Sequence, residues 1–335
     1  MPSSAAYFGM EESKVRAQQV HGLEGPSGLR LVDVEEPEDS DRVVIEVAAA
    51  GVSFPDLLLT RGEYQMKPPL PFVPGVEVAG RVRSAPLGSG FRAGDRVMAF
   101  TMLGGFADVA VAEPAFTLAI PTGLSLDAAS GFVMNYHTAH FALARRARLR
   151  AGERIAIHGA AGGIGTAAIQ VARGLGAEVI AIAAGPDKMH IAERAGAHRV
   201  LDAEGDWVSA LRAQNDGHGV NAILDPVGGE RFDQSVRCLA PEGRLIVVGF
   251  TDGRIPSVQV NRVLLRNIDI VGAAWGAFLG VEPSLFGETQ RALNTMIDSG
   301  AIAPIVGKTY PLEEAEAALE LLGHRQATGK IVLRM

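Results

Sequence analysis

Residues 155–177 read IAIHGAAGGIGTAAIQVARGLGA: a short apolar run passes through glycines and alanines into a helical pattern. A strand, a tight turn and a helix in this order are typical of a nucleotide-binding βα unit. The first turn of a helix exposes unpaired N–H groups and about half a positive charge, so a pyrophosphate can lie there when no side chain intervenes. The stretch therefore predicts a cradle for a dinucleotide cofactor.

The small residues of this loop have separate expected roles. Gly162 lets the backbone approach the phosphates, and Gly165 lets the helix pack closely against the strand. Ala160 occupies the place where the commonest pattern has its first glycine. The candidate cofactor-binding residues of the loop are Ala160, Gly162, Gly163, Ile164 and Gly165. The alternative is a tight strand-to-helix turn that binds no ligand.

The end of the next predicted strand decides which dinucleotide is favoured. A unit that binds NAD places Asp or Glu there, about 20 residues after the glycines, to accept hydrogen bonds from the adenosine ribose. Here the strand ends in Ile-Ala-Ala-Gly, residues 182–185, and Lys188 follows. The missing carboxylate and the nearby ammonium favour a 2′-phosphate, so we expect NADPH rather than NADH. Asp187 argues for NADH, but we prefer to interpret it as an acid in the first turn of a helix.

The rest of the chain shows two different patterns. From Val15 to about Ile120, short β-like runs alternate with turn residues, whereas from about Leu126 apolar strands alternate with helical segments, as in a parallel α/β sheet. The last of these strands is predicted at residues 269–276, DIVGAAWG. Helical stretches at 283–299 and 312–322 and a final strand-like KIVLRM follow. Residues 1–13 are interpreted as a loose N-terminal extension.

Composition narrows the possible functions. The chain has 335 residues, 47% of them hydrophobic, and a formal net charge of −7. This size and apolar content are enough for two hydrophobic cores. The negative charge and the lack of runs rich in Lys and Arg argue against nucleic acid as a partner, and the single cysteine, Cys238, excludes an internal disulfide. Since no apolar stretch approaches the roughly 18 residues that span a bilayer, we expect a soluble, cytoplasmic protein without a membrane partner.

Further stretches carry a resemblance to a known family: GVSFPDLLLTRGEY (51–64), PFVPGVEVAGRV (71–82), LDPVGGERFDQSVRCLAPEGRLIVVGF (224–250) and ATGKIVL (327–333). From about Val15 onward the chain resembles the zinc-free quinone oxidoreductase branch of the medium-chain dehydrogenase/reductase superfamily, the zeta-crystallin-like family. The resemblance implies an α/β protein with a GroES-like β-rich catalytic domain, residues 1–125 and 271–335, and a Rossmann domain with a doubly wound parallel sheet, residues 126–270. The change of pattern near Leu126 agrees with these limits, while the return near Val271 is implied by the resemblance alone.

Zinc-dependent relatives bind the metal through a Cys after Gly-Val and a His in Gly-His-Glu. This chain has Ser53 and Val76 at those positions, and neither side chain is a usual zinc ligand. His137 and His140 fit polar residues of a partly exposed helix better than metal ligands, because no third ligand accompanies them. We therefore expect no metal. Acceptors that need no Lewis acid remain, namely quinones, enones and enoyl thioesters.

The resemblance also assigns residues to the acceptor and the cofactor. Tyr64 matches a tyrosine that lies near the substrate in relatives, where it would act as a proton donor or as a hydrogen-bond donor to an acceptor oxygen. Ser53 occupies a position where many relatives have Asn. These two are the candidate catalytic residues. Thr138 matches a threonine beside the nicotinamide, and Lys330 matches a position that faces the cofactor phosphate. The alternatives are a loop aromatic for Tyr64, a capping or packing residue for Thr138 and a solvated surface lysine for Lys330.

The ends of the predicted Rossmann strands supply the remaining candidates. Gly249 and Phe250 follow the fifth strand, at the edge where doubly wound sheets bind their ligands. Asp225 ends the fourth strand, and we expect it to accept hydrogen bonds from loop amides rather than take part in catalysis. The resemblance implies that Trp275 and Gly276 lie near the cleft, while an apolar run by itself favours packing of Trp275 in a core or in a dimer interface.

Together these observations predict an NADPH-dependent, zinc-independent oxidoreductase that transfers a hydride to a small electrophilic acceptor, a quinone or an α,β-unsaturated carbonyl compound. Two alternatives remain: an enoyl-thioester reductase of the enoyl-CoA type, and a non-catalytic protein that binds NADPH as a sensory or structural ligand. The resemblance also implies a homodimer, joined through the strand at residues 268–275, IDIVGAAW, as the edge of the sheet.

Overall fold

The computed structural model describes residues 14–37 and 39–335, and the expected N-terminal extension at residues 1–13 lies outside them. The strands in chain order are β1 (Lys14–Val20), β2 (Leu29–Glu35), β3 (Val43–Val52), β4 (Glu77–Ser84), β5 (Arg96–Phe100), β6 (Val109–Ala112), β7 (Thr117–Ala119), β8 (Arg154–Ile157), β9 (Glu178–Ala183), β10 (Arg199–Asp202), β11 (Val220–Asp225), β12 (Leu239–Val247), β13 (Asp269–Gly272), β14 (Val306–Pro311) and β15 (Lys330–Arg334). The helices are α1 (Phe54–Thr60), α2 (Leu126–Ser130), α3 (Thr138–His140), α4 (Gly163–Gly174), α5 (Pro186–Arg194), α6 (Trp207–Arg212), α7 (Arg231–Arg237), α8 (Val260–Arg266), α9 (Trp275–Leu279), α10 (Leu285–Asp298) and α11 (Ala315–Gly323). Two π-helical segments, Val133–His137 and Phe141–Arg146, flank α3.

The β-rich part of the molecule is built on a seven-stranded sheet in the order β14-β15-β3-β4-β5-β7, with β6 also paired to β3. Its neighbours pair antiparallel except β14 and β15, which are parallel. The long strand β3 is buried along most of its length because it lies in the middle of the sheet. As predicted, the β-like runs before Ile120 supply most of these strands, and the final KIVLRM run adds β15.

The second part is a six-stranded parallel sheet in the order β10-β9-β8-β11-β12-β13. Strand order reverses between β8 and β11, and helices connect successive strands, which is the doubly wound Rossmann arrangement. The strands are apolar on both faces because helices cover both faces, and the buried side chains form a separate cluster on each. The predicted fold class, a GroES-like part with a Rossmann part, is confirmed.

The end of the parallel sheet differs from the strand predicted at residues 269–276. Strand β13 ends at Gly272, and α9 begins at Trp275. The indole of Trp275 is buried among the rings of Phe100 and Phe286, and this tertiary packing turns the chain out of the sheet. The domain limits given above stay a prediction. Val271 lies inside β13, and the chain joins the seven-stranded sheet only at β14.

The lengths of the helices can be compared with the length that a helix needs to cross a bilayer. The longest helix described, α10, has 14 residues. Within the described part of the chain, no helix combines the length and the apolar character that crossing a bilayer requires.

The two sheets meet at the glycine loop. The Gly329 N–H donates to the Ala161 carbonyl oxygen at 2.7 Å, and Gly162 and Gly329 form a parallel β-bridge. Since Gly329 directly precedes β15, the start of that strand is fixed against the turn between β8 and α4. The candidate site lies at this junction.

Candidate active site

The glycine loop turns sharply between β8 and α4. Gly159 has a φ of +58°, in the left-handed region that glycine adopts most readily. This residue, which the sequence analysis did not single out, makes the turn, while the Ala160 side chain is buried in the core. Gly162 is the N-cap residue of α4, and because it has no side chain it cannot cap the first N–H groups of the helix. Those groups can therefore donate to an anion.

Two glycines of the loop are needed for different reasons. A Cβ atom on Gly165 would lie 2.6 Å from the Ala160 Cα atom and closer still to the Gly159 carbonyl oxygen. The predicted close packing of helix and strand at Gly165 is confirmed. For a Cβ atom on Gly162, the nearest described atom would be the Gly159 carbonyl oxygen at 3.5 Å, an ordinary contact. The protein leaves room beside Gly162, and a ligand can use it.

The end of β9 lies close to two cationic residues. Among the described residues, no atom comes within 4 Å of an ideal Cβ on Gly185, which precedes α5. Lys188 Nζ donates to the Arg325 carbonyl oxygen at 2.6 Å, and Arg325 Nη1 donates to Asp252 Oδ1 at 3.0 Å. The sequence analysis missed Arg325, because 137 positions separate it from Lys188. Asp187 lies in the first turn of α5, as expected.

A buried cluster of charged and polar side chains joins the two sheets. Lys330 Nζ donates to Glu77 Oε1 and to Ser53 Oγ, each at 2.6 Å. Glu77 Oε2 accepts from the Met134 N–H at 2.9 Å. The side chains of Lys330 and Glu77 are 8% and 1% exposed, so the interpretation of Lys330 as a solvated surface lysine is wrong. Its expected place at the cofactor phosphate stays a prediction.

A buried carboxyl group holds the start of α1. Asp56 Oδ2 accepts from the Ser53 N–H at 2.8 Å, and Asp56 Oδ1 accepts from the Gly75 N–H at 3.0 Å. Burial raises the pKa of Asp56 to about 7, against the opposing effect of these hydrogen bonds and of the Lys330 charge. The carboxyl therefore fixes the backbone of Ser53 relative to the loop that carries Val76.

Tyr64 lies half-buried against the core of the β-rich part. Burial raises the pKa of Tyr64, and the negative charge of Asp56 raises it further. The phenol is therefore protonated and available as a hydrogen-bond donor at any working pH. Its place near an acceptor stays a prediction.

The helical segment around α3 is more buried than expected. Thr138 and His137 are both buried, and His137 Nε2 lies 2.9 Å from Gln290 Oε1. Burial lowers the pKa of His137 to about 4, so the imidazole is neutral. The expectation of a partly exposed helix is wrong for His137, which packs against Trp275 with ring centroids 5.4 Å apart. Trp275 belongs to the core, which was one of the expected places for it.

Two strand ends border the same junction. Asp225 Oδ1 accepts from the N–H groups of Val227 and Gly228 at 2.8 and 2.9 Å, so its predicted role as an acceptor for loop amides is confirmed. Phe250 packs against this turn, since an ideal Cβ on Gly228 would lie 3.0 Å from its ring. Gly249 and Phe250 follow β12 as predicted, and their contact with a cofactor stays a prediction.

The two positions that hold zinc in zinc-dependent relatives do not fit the metal. Val76 is a buried aliphatic residue, and Ser53 Oγ lies 2.6 Å from the Lys330 ammonium, whose charge repels a second cation. Within residues 14–37 and 39–335, no group of three or more His, Cys, Asp and Glu side chains could hold a metal ion.

Known families match both parts of the chain. The alcohol dehydrogenase GroES-like domain matches residues 39–123, and the zinc-binding dehydrogenase family matches residues 163–295. The quinone oxidoreductase-like protein 2 of Rattus norvegicus is 35% identical over 302 residues, which cover 89% of this chain and 86% of that protein.

Solved structures show the same fold over nearly the whole chain. A probable oxidoreductase from Mycobacterium abscessus is 45% identical, with a TM-score of 0.89, and the match covers 97% of this chain and all of that one. The quinone oxidoreductase of Thermus thermophilus, also solved in complex with NADPH, is 34% identical with a TM-score of 0.81, covering 96% of this chain and all of that one.

Substitutions at Gly165 and Gly162 distinguish a glycine that protein packing requires from a glycine that leaves room for a ligand. We expect Gly165→Ala to lower the free energy of unfolding by about 1–3 kcal/mol, because the added methyl group overpacks the turn. Gly162→Ala is expected to lower it by less than about 1 kcal/mol, the usual scale of an unfavourable residue at an N-cap. Denaturant unfolding of the two variants measures the difference, and an equal loss in both would contradict it.

Proposed function

The chain belongs to the quinone oxidoreductase family of the medium-chain dehydrogenase/reductase superfamily, and from this premise we propose that it is an NADPH-dependent, zinc-independent oxidoreductase. Its proposed acceptor is a small quinone or α,β-unsaturated carbonyl compound. The observation that carries the proposal is the start of α4, where Gly162 leaves the first N–H groups uncapped and the space beside it open.

NADPH fits the residues at this junction. Its pyrophosphate would accept from the N–H groups of Gly163 and Ile164, and the first-turn dipole favours the negative charge. The adenosine end would follow the end of β9, where Lys188 offers positive charge to a 2′-phosphate and Arg325, which is paired with Asp252, is its neighbour. Bound there, NADPH supplies the hydride. Thr138, Gly249 and Phe250 are proposed to line its nicotinamide half. Thr138 lies on α3, which packs against α4, and Gly249 and Phe250 follow β12 at the carboxyl edge of the parallel sheet.

Ser53 and Tyr64 are proposed to bind the acceptor oxygen. The raised pKa of Tyr64 keeps its phenol protonated, so the phenol can donate a hydrogen bond that orients the acceptor. We assign Tyr64 to hydrogen bonding and orientation. Ser53, with its hydroxyl fixed by Lys330, is the second donor.

The proposed function is tested by binding and turnover together. Calorimetry is expected to show NADPH binding, and NADPH oxidation is expected with quinones or enones. A clear preference for enoyl-CoA thioesters would identify an enoyl-thioester reductase instead. Tight NADPH binding without turnover on any of these acceptors would identify a non-catalytic NADPH-binding protein, and no binding of NADPH would contradict the proposal entirely.

The two cations at the end of β9 predict the cofactor preference. Lys188→Ala should raise the Kd for NADPH about tenfold, equivalent to about 1.4 kcal/mol, and leave the Kd for NADH unchanged, because NADH lacks the 2′-phosphate. Asp187→Asn is the matched control from the same helical turn. If that control weakens NADH binding selectively, Asp187 binds the ribose and the preference for NADPH is wrong.

We also propose that two copies pair through the open edge of the parallel sheet. Strand β13 is the edge strand, and helix α8, just before it, exposes Val260, Leu264 and Leu265 by 73–77%. An edge strand flanked by exposed apolar side chains is a surface that a second copy can cover.

The apolar face of α8 predicts the outcome of a charge substitution. Leu264→Asp should convert a dimer into a monomer in light scattering, because the pairing would bury an unpaired carboxylate. Leu87→Asp, at a fully exposed leucine of a loop after β4, is the control and should remain dimeric. A monomeric unsubstituted protein would contradict the pairing.

A further inference from the structure

Lys330 reaches its buried position through a slot that two glycines leave open. An ideal Cβ on Gly51 would lie 2.8 Å from Lys330 Cε, and one on Gly131 would lie 3.0 Å from Lys330 Cδ and closer still to Cγ. The lysine stem therefore occupies space that any other residue at either position would fill. This arrangement places a single ammonium group inside the junction of the two sheets.

Glu77 keeps this ammonium in place. Its Oε1 accepts from Lys330 Nζ at 2.6 Å and its Oε2 accepts from the Met134 N–H at 2.9 Å. A buried charge is tolerated when it is paired and hydrogen-bonded, and both conditions hold here. The pair is thus a fixed feature of the site and holds an ammonium group at a defined position.

Ser53 is the only side chain besides Glu77 that accepts a hydrogen bond from this ammonium among the described residues. Its Oγ accepts from Nζ at 2.6 Å, while its own proton points to Glu77 Oε1 over a longer 3.2 Å. Because Oε1 already accepts the shorter bond from Lys330, the longer Ser53–Glu77 bond is the one most easily exchanged for a bond to another acceptor. An acceptor oxygen beside Ser53 can accept that bond, and Lys330 can replace a proton that Ser53 transfers to it.

The cluster lies next to the proposed cofactor cradle. Lys330 directly follows Gly329, whose N–H donates to the Ala161 carbonyl oxygen at 2.7 Å. Met134, which bonds to Glu77, precedes Asn135, whose amide lies against Gly163. An oxygen acceptor at Ser53 would therefore lie beside a cofactor whose pyrophosphate is held in the cradle.

We propose that Ser53, resupplied by Lys330, delivers the proton that two-electron reduction of the acceptor requires. This inference rests on the proposed function. The hydride brings two electrons to the acceptor and leaves negative charge on its oxygen. The Ser53 O–H bond then breaks as the acceptor O–H bond forms, and a Lys330 N–H bond breaks as the Ser53 O–H bond re-forms. Each broken bond leaves its electron pair on the donor atom, and the neutral Lys330 amine takes a proton from water after the product leaves.

In this scheme Ser53 is the catalytic residue, because it touches the acceptor, and Lys330 and Glu77 are positioning residues that act through it. Their role differs from a contact between Lys330 and the cofactor phosphate, which would place the ammonium on NADPH. The two roles predict different changes when the lysine is replaced.

The main test combines Lys330→Met with Glu77→Gln, so that no unpaired charge stays buried. We expect kcat with a quinone to fall about 100-fold, the usual scale of lost acid catalysis, while the Kd for NADPH in a fluorescence titration stays unchanged. Ser53→Ala should give the same result, and Ser53→Thr, which keeps a hydroxyl, should recover part of kcat. Lys308→Met, at an exposed lysine of the neighbouring strand β14, is the control and should match the unsubstituted protein.

The Lys330→Arg variant tests whether the residue acts by delivering a proton or only by its positive charge. Arginine keeps the positive charge and the donors but does not give up a proton in proteins, so kcat should stay low. Full activity of this variant would overturn the relay, as would unchanged kcat in the double variant or a rise in its Kd for NADPH.

Two further results would distinguish failure of the proton relay from failure of the proposed function. If Tyr64→Phe lowers kcat about 100-fold while Ser53→Ala does not, Tyr64 is the proton donor and the relay is overturned, although the oxidoreductase activity stands. If the unsubstituted protein fails to bind NADPH, the proposed function fails first, and the relay fails with it.

Discussion

The main-chain hydrogen bond between Gly329 and Ala161 fixes the geometry on which the site depends. It ties the residue before β15 to the turn that leads into α4, so the seven-stranded sheet cannot shift relative to the parallel sheet without breaking it. Lys330 is the next residue along the chain, and its ammonium reaches back to Glu77 on β4. One short backbone contact thus sets both the open start of α4 and the position of a buried cation.

Glycines serve two different purposes in this molecule. At Gly165, Gly51 and Gly131 the protein's own atoms occupy the space that a Cβ would need, so these glycines serve packing and the passage of the lysine stem. At Gly162 the protein leaves that space open. The proposed pyrophosphate would use this space, while glycine is also favoured over alanine at an N-cap. The cofactor role of Gly162 therefore stays a prediction beside the alternative of a turn without a ligand.

Structural features that depend on residues close together in the sequence could be predicted from it. The alternation of strands and helices predicted the parallel sheet, and the glycine loop predicted the close packing at Gly165. Structural features that depend on residues far apart in the sequence could not be predicted. Glu77 and Lys330 are 253 positions apart, so neither the burial of the lysine nor its partner follows from local pattern. The strand prediction failed after Gly272 for the same reason, since the rings that bury Trp275 come from elsewhere in the chain.

In the proposed relay, the ammonium of Lys330 would take over part of what a metal does in zinc-dependent relatives. There, a cation bound at the positions of Ser53 and Val76 withdraws charge from the substrate oxygen. Here Ser53 holds an ammonium instead of a metal, and Glu77 balances its charge so that the buried pair is neutral overall. A metal ion polarises an oxygen without giving it a proton, whereas an ammonium can do both through the serine. The exchange favours acceptors such as quinones, which are electron-poor enough to accept a hydride without a Lewis acid, over isolated carbonyls that require strong polarisation.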